Sequence, residues 1–296
     1  MLTGILLALT TGLVFMLIGI VYSYAGTKVN ILNVLLLNSL SYAIIFFIAA
    51  IPGGFSANMW QSILVMMLSG AFNTLAMLSL QKSMAIGKSG VAWAIVQSAF
   101  VGPYLGSLLF LGENPTVSNV MGVTLILGGM VLLGVFSKKS IDAQHDSGQG
   151  KYRWLMLAFL AFGLLVVAMY CVTASSYWSV KISIPLRVAS MSSGGVLFAV
   201  GVKAARRQCA IRFDRRTVTC IICLVLLGLA SQSMIFVTVE ALSKVGVAGI
   251  GYPVMNGTCI ALYFLYSMLV LKEKSSMGGK LAVAVLVTGI LLLCFA

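Results

Sequence analysis

Two copies of one short motif hold the residues best suited to bind a ligand. The spacing glycine-x-x-glycine-x-x-aromatic-x-x-x-amide occurs at 87–97 and again at 246–256. An aromatic residue and an amide four positions apart share one face of a helix. An amide both donates and accepts hydrogen bonds, and an aromatic ring packs on an apolar face, so the pair suits a neutral polar solute. The residues are Trp93, Gln97, Tyr252 and Asn256.

A second pair of amides has the same separation along the chain. Asn73 lies as far from Gln232 as Gln97 lies from Asn256. We therefore expect the four amides and the two aromatic residues to line one central cavity. The alternative is that the amides hydrogen-bond between helices, which stabilises a membrane protein by about 0.6–2 kcal/mol per bond.

Charged candidates are fewer. Arg187 follows Pro185 at a predicted helix start, where it either points into a water-filled vestibule toward an anionic group of the solute or extends to the lipid headgroups. Glu240 is the candidate site for a coupling proton or cation, and the alternative is an ion pair with Lys244, one helical turn away. No ionisable residue falls at the centre of a predicted span, which disfavours a pump for cationic drugs.

The composition places these residues in a membrane. Of 296 residues, 60% are hydrophobic and 8% are charged, whereas about a quarter are charged in a soluble domain. A spanning helix needs about 20 apolar residues. We predict an all-α integral membrane protein with ten transmembrane helices. The predicted spans are 3–24, 31–51, 60–80, 89–111, 118–136, 154–177, 184–202, 217–238, 247–271 and 279–295.

The spans form two similar sets of five. The hydrophilic linker 137–153 separates a first repeat, 1–136, from a second, 154–296. An odd number of spans per repeat inserts the second upside down, and such inverted repeats bind a solute near the membrane mid-plane, where they meet. Further matches between the halves are Ser23 with Ser176, Tyr24 with Tyr177, Lys28 with Lys181, Gln81 with Glu240, Glu113 with Glu273 and Gly129 with Gly289.

The basic residues predict the orientation. The net charge is +13, and most of the Lys and Arg residues lie in the odd-numbered connections, including 137–153 and 203–216. By the positive-inside rule these connections face the cytoplasm and both termini face outward. The cations sit between apolar blocks rather than along one face, which excludes a nucleic-acid surface and favours anionic lipid headgroups. We expect a multi-pass protein of a bacterial inner membrane.

Catalytic and metal-binding patterns are missing from the sequence. Cys220-x-x-Cys223 has no second cysteine pair, and the single histidine, His145, is distant, so we read these cysteines as packing residues. No nucleotide-binding loop or nucleophile motif is present. We therefore expect no cofactor, no metal and no enzymatic activity. Gly102 and Gly106 form a G-x-x-x-G motif typical of close helix packing.

Three loose motifs in a fixed order carry a family resemblance. They are a glycine-rich stretch at 84–90 and the turns Leu111-Gly112-Glu113 and Leu271-Lys272-Glu273. The chain resembles the drug/metabolite transporter superfamily of five-plus-five carriers. With its basic odd connections and its ending Val270 to Glu273, it looks most similar to the rhamnose and glucose uptake branch. It departs from many EamA-type members, which have a basic second loop, because 52–59 carries no charge.

These observations predict a secondary transporter that moves a small polar solute, a sugar or similar neutral metabolite, by alternating access. We expect transport to be coupled to H⁺ or Na⁺. We also expect the protein to be a monomer or a homodimer in the lipid bilayer. One alternative is an amino-acid, metabolite or drug exporter of the same superfamily. A non-transporting scaffold or receptor is the alternative of another class. Glu113 and Glu273 are expected to order the turns before spans five and ten, and Tyr24, Tyr177 and Trp178 to belong to the interfacial aromatic belt.

Overall fold

The apolar blocks of the sequence form helices in the computed structural model, because a chain in lipid must satisfy its backbone hydrogen bonds internally. The structure describes residues 2–25, 29–54, 56–86, 89–113, 116–138, 148–178, 182–207, 215–270 and 277–295. The helices of the first half are α1 (Leu2–Ala25), α2 (Ile31–Ala50), α3 (Trp60–Ile86), α4 (Ser89–Gln97), α5 (Val101–Phe110) and α6 (Val117–Lys138). Those of the second half are α7 (Gly148–Ala174), α8 (Ile184–Ala205), α9 (Arg215–Ser243), α10 (Gly251–Leu269) and α11 (Met277–Phe295).

The predicted all-α membrane fold is confirmed. Seven helices are long and apolar enough to cross a membrane, and the described residues contain no strand. Shorter apolar stretches cover Ile95–Phe110, Val117–Gly129 and Met277–Leu292. The count of ten spans needs these three stretches to cross as well, and it stays a prediction, as do the inverted repeat and its boundaries.

The predicted fourth span is not one continuous helix. α4 and α5 are separated by a 3-10 turn, Ser98–Phe100. Pro103 has no N–H to donate to the carbonyl of Ala99, and its ring clashes with that carbonyl in a regular α-helix. The Ser98 hydroxyl also donates to the Ile95 carbonyl at 2.6 Å. In the second half Pro253 lies in the first turn of α10, where no N–H is needed, so α10 stays continuous.

Helices of the two halves pack on each other. α3 packs against α7 and α8, α1 against α9 and α10, α2 against α8, and α6 against α11. The halves therefore do not fold as separate bodies side by side. Any space enclosed between these pairs is bordered by both halves.

The crossing of α3 and α8 depends on glycines. A Cβ on Gly70 would overlap the carbonyl oxygen of Met191, and a Cβ on Gly194 would overlap that of Met67. Each helix thus presents a glycine to the backbone of the other. Small residues permit such close approach of helices in membranes.

The G-x-x-x-G motif of α5 has the packing role predicted for it. A Cβ on Gly102 would collide with Val166, and one on Gly106 with the ring of Tyr170, both on α7. The ring of Tyr170 also meets Phe110 edge to face, with centroids 6.2 Å apart. Two glycines and an aromatic pair therefore hold α5 against α7.

Candidate functional site

A cavity of about 130 Å³ lies between the two halves. Its lining comes from α1, α2, α3, α4, α7, α8, α9 and α10. A cavity of roughly 150 Å³ accommodates one benzene ring. The space in this conformation is therefore on the scale of a single six-membered ring.

The structure brings the six predicted amide and aromatic residues together at this cavity. Gln97 and Asn256 are buried, while Asn73 and Gln232 are half-buried. Each half contributes two amides and one aromatic side chain. That these residues bind a solute stays a prediction. The six are Asn73, Trp93, Gln97, Gln232, Tyr252 and Asn256.

The two aromatic residues are fixed by contacts with neighbouring helices. The Trp93 ring stacks on that of Tyr263 of α10, with centroids 6.1 Å apart. Gly19 of α1 leaves room for the indole, because a Cβ there would lie 2.9 Å from a ring carbon. The Tyr252 hydroxyl donates to the Met169 carbonyl of α7 at 3.4 Å. The cavity walls are thus held by neighbouring helices.

Sequence analysis missed polar lining residues on α1, α2, α3, α8 and α9. Asn38 and Tyr42 are an amide and an aromatic residue four positions apart, the same pairing in reverse order, which is the signal that could have revealed them. The Tyr42 hydroxyl donates to the Leu224 carbonyl of α9. Gly228 gives that hydroxyl its space, since a Cβ there would overlap it. The other missed polar lining residues are Tyr22, Ser39, Thr74, Ser192 and Ser231.

Arg187 and Glu240 are not among the cavity-lining residues. Nη1 of Arg187 lies 3.2 Å from Oε2 of Glu240, and Arg187 is 2% exposed. Its guanidinium also donates to Ser176 Oγ at 3.2 Å and to the Ile182 carbonyl at 3.0 Å. Arg187 is therefore held inside the protein in this conformation, and its contact with an anionic group of the solute stays a prediction.

Glu240 also forms an ion pair, and its partner is Arg187 of α8. The start of α8 lies beside the end of α9, so this pair joins two helices. Its geometry gives the buried guanidinium a compensating charge. The predicted pair with Lys244 and the coupling role of Glu240 stay predictions.

Glu113 does more than order a turn. It is 7% exposed and accepts a hydrogen bond from the Tyr177 hydroxyl. The N–H of Gly249 lies 3.2 Å from each of its carboxylate oxygens. Burial and the carboxylate of Glu113 raise the pKa of Tyr177. Tyr177 is therefore bound to a buried acid, not simply placed in an interfacial belt.

Consecutive residues join these contacts into one polar network. Ser176 binds Arg187 and Tyr177 binds Glu113. The network connects the segment after α5 with the end of α7, the start of α8, the end of α9 and the turn before α10. We refer to the following residues as the polar network: Glu113, Ser176, Tyr177, Arg187, Glu240 and Gly249.

Other predicted features lie partly or wholly outside the described residues. Among the side chains that the structure describes, no three His, Cys, Asp or Glu residues cluster to hold a metal ion. The cytoplasmic orientation of the basic connections is untested by the coordinates. Residues named above that lie outside the described residues are Lys28, His145, Lys181, Leu271, Lys272 and Glu273, together with 139–147 of the linker.

Comparison with known proteins supports a transporter fold. Residues 2–135 match the EamA-like transporter family. No curated protein sequence matches the chain. A crystal structure described only as that of a protein matches 98% of this chain and 97% of its own length, with a TM-score of 0.71 and 14% identity, so the two share the fold. The match over residues 2–135 supports the resemblance to the drug/metabolite transporter superfamily, and the first half of this multi-pass membrane protein is similar to the EamA-like transporter family.

Proposed function

We propose that this protein is a secondary transporter that carries a small neutral polar solute, such as a sugar, through the cavity between its halves. The observation behind the proposal is the lining. Amides, hydroxyls and aromatic rings from both halves surround the cavity. Among the residues that the structure describes, none that lines the cavity is charged.

The uncharged lining argues against an ionic cargo. A carboxylate or ammonium group that leaves water needs a compensating charge, because an unpaired ion in a low-dielectric site is costly. Arg187 and Glu240 compensate each other away from the cavity. Amino acids and cationic drugs therefore fit this lining less well than a hydroxyl-rich solute, which amides can bind as donors and acceptors.

Alternating access would expose the cavity to one face and then the other as the halves move. The side-chain contact between Tyr42 and α9 and the interruption between α4 and α5 supply adjustable walls. Glu240 can act as a coupling residue only through Arg187, since a proton on Glu240 removes the charge that compensates the guanidinium.

The test is counterflow of labelled sugars, polyols, amino acids and nucleosides in liposomes that contain the purified protein. A prior thermal-shift screen selects the solutes, because a ligand of the folded state raises its melting temperature. Uptake of a neutral hydroxylated solute supports the proposal. Uptake restricted to charged solutes, or no uptake at all, contradicts it.

Variants of the lining amides locate the site. Gln97→Ala and Asn256→Ala each leave a solute group unpaired, so we expect affinity to fall about 5- to 150-fold with a near-normal melting temperature. Gln81→Ala is the matched control, since Gln81 is a buried amide that is not among the lining residues. Melting temperatures that fall in step with transport, or full transport in both variants, would show that the amides are packing groups.

A further inference from the structure

Both acidic residues that the structure describes belong to the polar network. The chain has six Asp and Glu residues. Asp142, Asp146, Asp214 and Glu273 lie outside the described residues. Glu113 and Glu240 are linked through the consecutive residues Tyr177 and Ser176 and through Arg187. The two carboxylates in the described part of the chain thus lie at one end of the helix bundle.

The two carboxylates differ in what holds them. Glu240 faces the buried guanidinium of Arg187, so its protonation would strand a buried cation. Glu113 is held by two neutral donors, the Tyr177 hydroxyl and the Gly249 N–H. A proton can bind Glu113 without leaving an opposite charge unpaired. Glu113 is therefore the better suited of the two to gain and lose a proton repeatedly.

A proton on Glu113 would loosen a contact between the halves. Hydrogen bonds to an ionised carboxylate are roughly twice as strong as those between neutral groups. Glu113 follows α5 in the first half, whereas Tyr177 and Gly249 belong to the second. Gly249 lies three residues before Tyr252, which lines the cavity. Weaker bonds at Glu113 would thus free the start of α10 and, with it, one wall of the cavity.

The surroundings of Glu113 contain the groups that could modify its titration. Tyr104 of α5 lies within electrostatic reach of its carboxylate. The end of α7 contributes Tyr177 and Ser176, and α8 and α9 contribute the Arg187–Glu240 pair. The turn before α10 contributes backbone groups only, the N–H of Gly249 and the backbone at Ala248.

We infer that Glu113 is the proton-binding residue that couples a proton gradient to solute movement, by locking the two halves together when ionised and releasing them when protonated. The inference rests on the proposed transport function. It assigns the coupling role to Glu113 in place of Glu240, and it makes the proton the driving ion.

The experiment compares two kinds of flux in liposomes that contain the full-length protein. Counterflow needs only the solute, whereas accumulation against a gradient needs the coupling ion. We expect Glu113→Gln to retain counterflow but to lose accumulation driven by a pH gradient, because the amide cannot exchange a proton. Lys280→Gln, a change of an exposed residue of α11, is the control and should behave as wild type.

Tyr177→Phe gives a second readout that does not require the loss of function. The hydroxyl favours the ionised carboxylate, so its removal lets Glu113 bind a proton at higher pH. The midpoint of the pH profile of accumulation should therefore move to higher pH. A purely structural role of the hydroxyl would lower the flux without moving the midpoint.

The outcomes separate the inference from the function on which it rests. Wild-type protein that lacks counterflow overturns both. Counterflow without accumulation driven by a pH gradient overturns the inference alone. So does Glu113→Gln protein that accumulates solute as wild type does, or a Tyr177→Phe midpoint that stays at the wild-type pH.

Discussion

Two helix crossings join the halves beside the cavity. One is a contact between helix backbones, and the other is made by a side chain. Where α3 crosses α8, Gly70 and Gly194 each face a backbone carbonyl of the other helix. Where α2 meets α9, the contact is a side chain, the hydroxyl of Tyr42 on the Leu224 carbonyl. A backbone contact cannot change without moving a whole helix, whereas a side chain can rotate. We infer that α3 and α8 form the fixed crossing and that α2 and α9 form the adjustable one.

The variant with the largest expected effect disrupts the fixed crossing of α3 and α8. Gly194→Leu places a side chain where the Met67 carbonyl lies, so α3 and α8 must separate. We expect a loss of more than about 4 kcal/mol in the free energy of unfolding, or failure to obtain folded protein. The measurement is the melting temperature of the purified variant in detergent. Gly201→Leu on the same helix is the control, because a Cβ there meets nothing within 4 Å.

A smaller effect is expected where the two crossings are tied together. Arg187 of α8 and Glu240 of α9 connect a helix of the fixed crossing with one of the adjustable crossing. Arg187→Gln removes the guanidinium from Glu240 and should cost about 3 kcal/mol, at the lower end for a broken buried pair because Glu240 is 22% exposed. Chemical unfolding of both single variants and of Arg187→Gln/Glu240→Gln measures it. A double variant as destabilised as the sum of the singles would contradict the pairing.

The smallest effect concerns the adjustable crossing itself. Gly228→Ala puts a methyl group where the Tyr42 hydroxyl lies and should displace it, at a cost of about 1 kcal/mol from the lost hydrogen bond. Tyr42→Phe removes the hydroxyl but keeps ring carbon Cζ, which a Cβ on Gly228 would approach to 2.3 Å, so the same alanine should cost less there without becoming free. Melting temperatures of the two single variants and the double variant test this. Equal costs of the alanine in both backgrounds would show that Gly228 acts through some other contact.

Most of the fold could be predicted from sequence because the membrane dictates it. Apolar blocks of about 20 residues must be helices in lipid, and their limits follow from polar residues. The lengths are less well determined, since α3 continues to Ile86 and α9 to Ser243, beyond the predicted 80 and 238. The interruption at Ser98–Phe100 was within reach, because Pro103 lies four residues after Ala99.

The predicted cavity residues came from repetition, which could not reveal every lining residue. At the separation of Ser23 and Ser176, Tyr42 corresponds to Gly195, whereas the missed lining residues Ser39 and Ser192 do correspond to each other. Glu113 was misjudged for another reason. Its partners Tyr177 and Gly249 are 64 and 136 residues away. No local pattern encodes such contacts, and only the packing of the halves brings them together.

The interruption between α4 and α5 places backbone partial charges next to the cavity-lining residue Gln97. Gln97, which lines the cavity, is the last residue of α4, and the negative end of that helix dipole faces the positive end of α5 across three residues. Pro103 cannot donate to the carbonyl of Ala99. Alanine scanning leaves these backbone charges in place. A solute could therefore keep part of its affinity when each lining side chain is replaced in turn. Substitution of Pro103 could alter that remaining affinity.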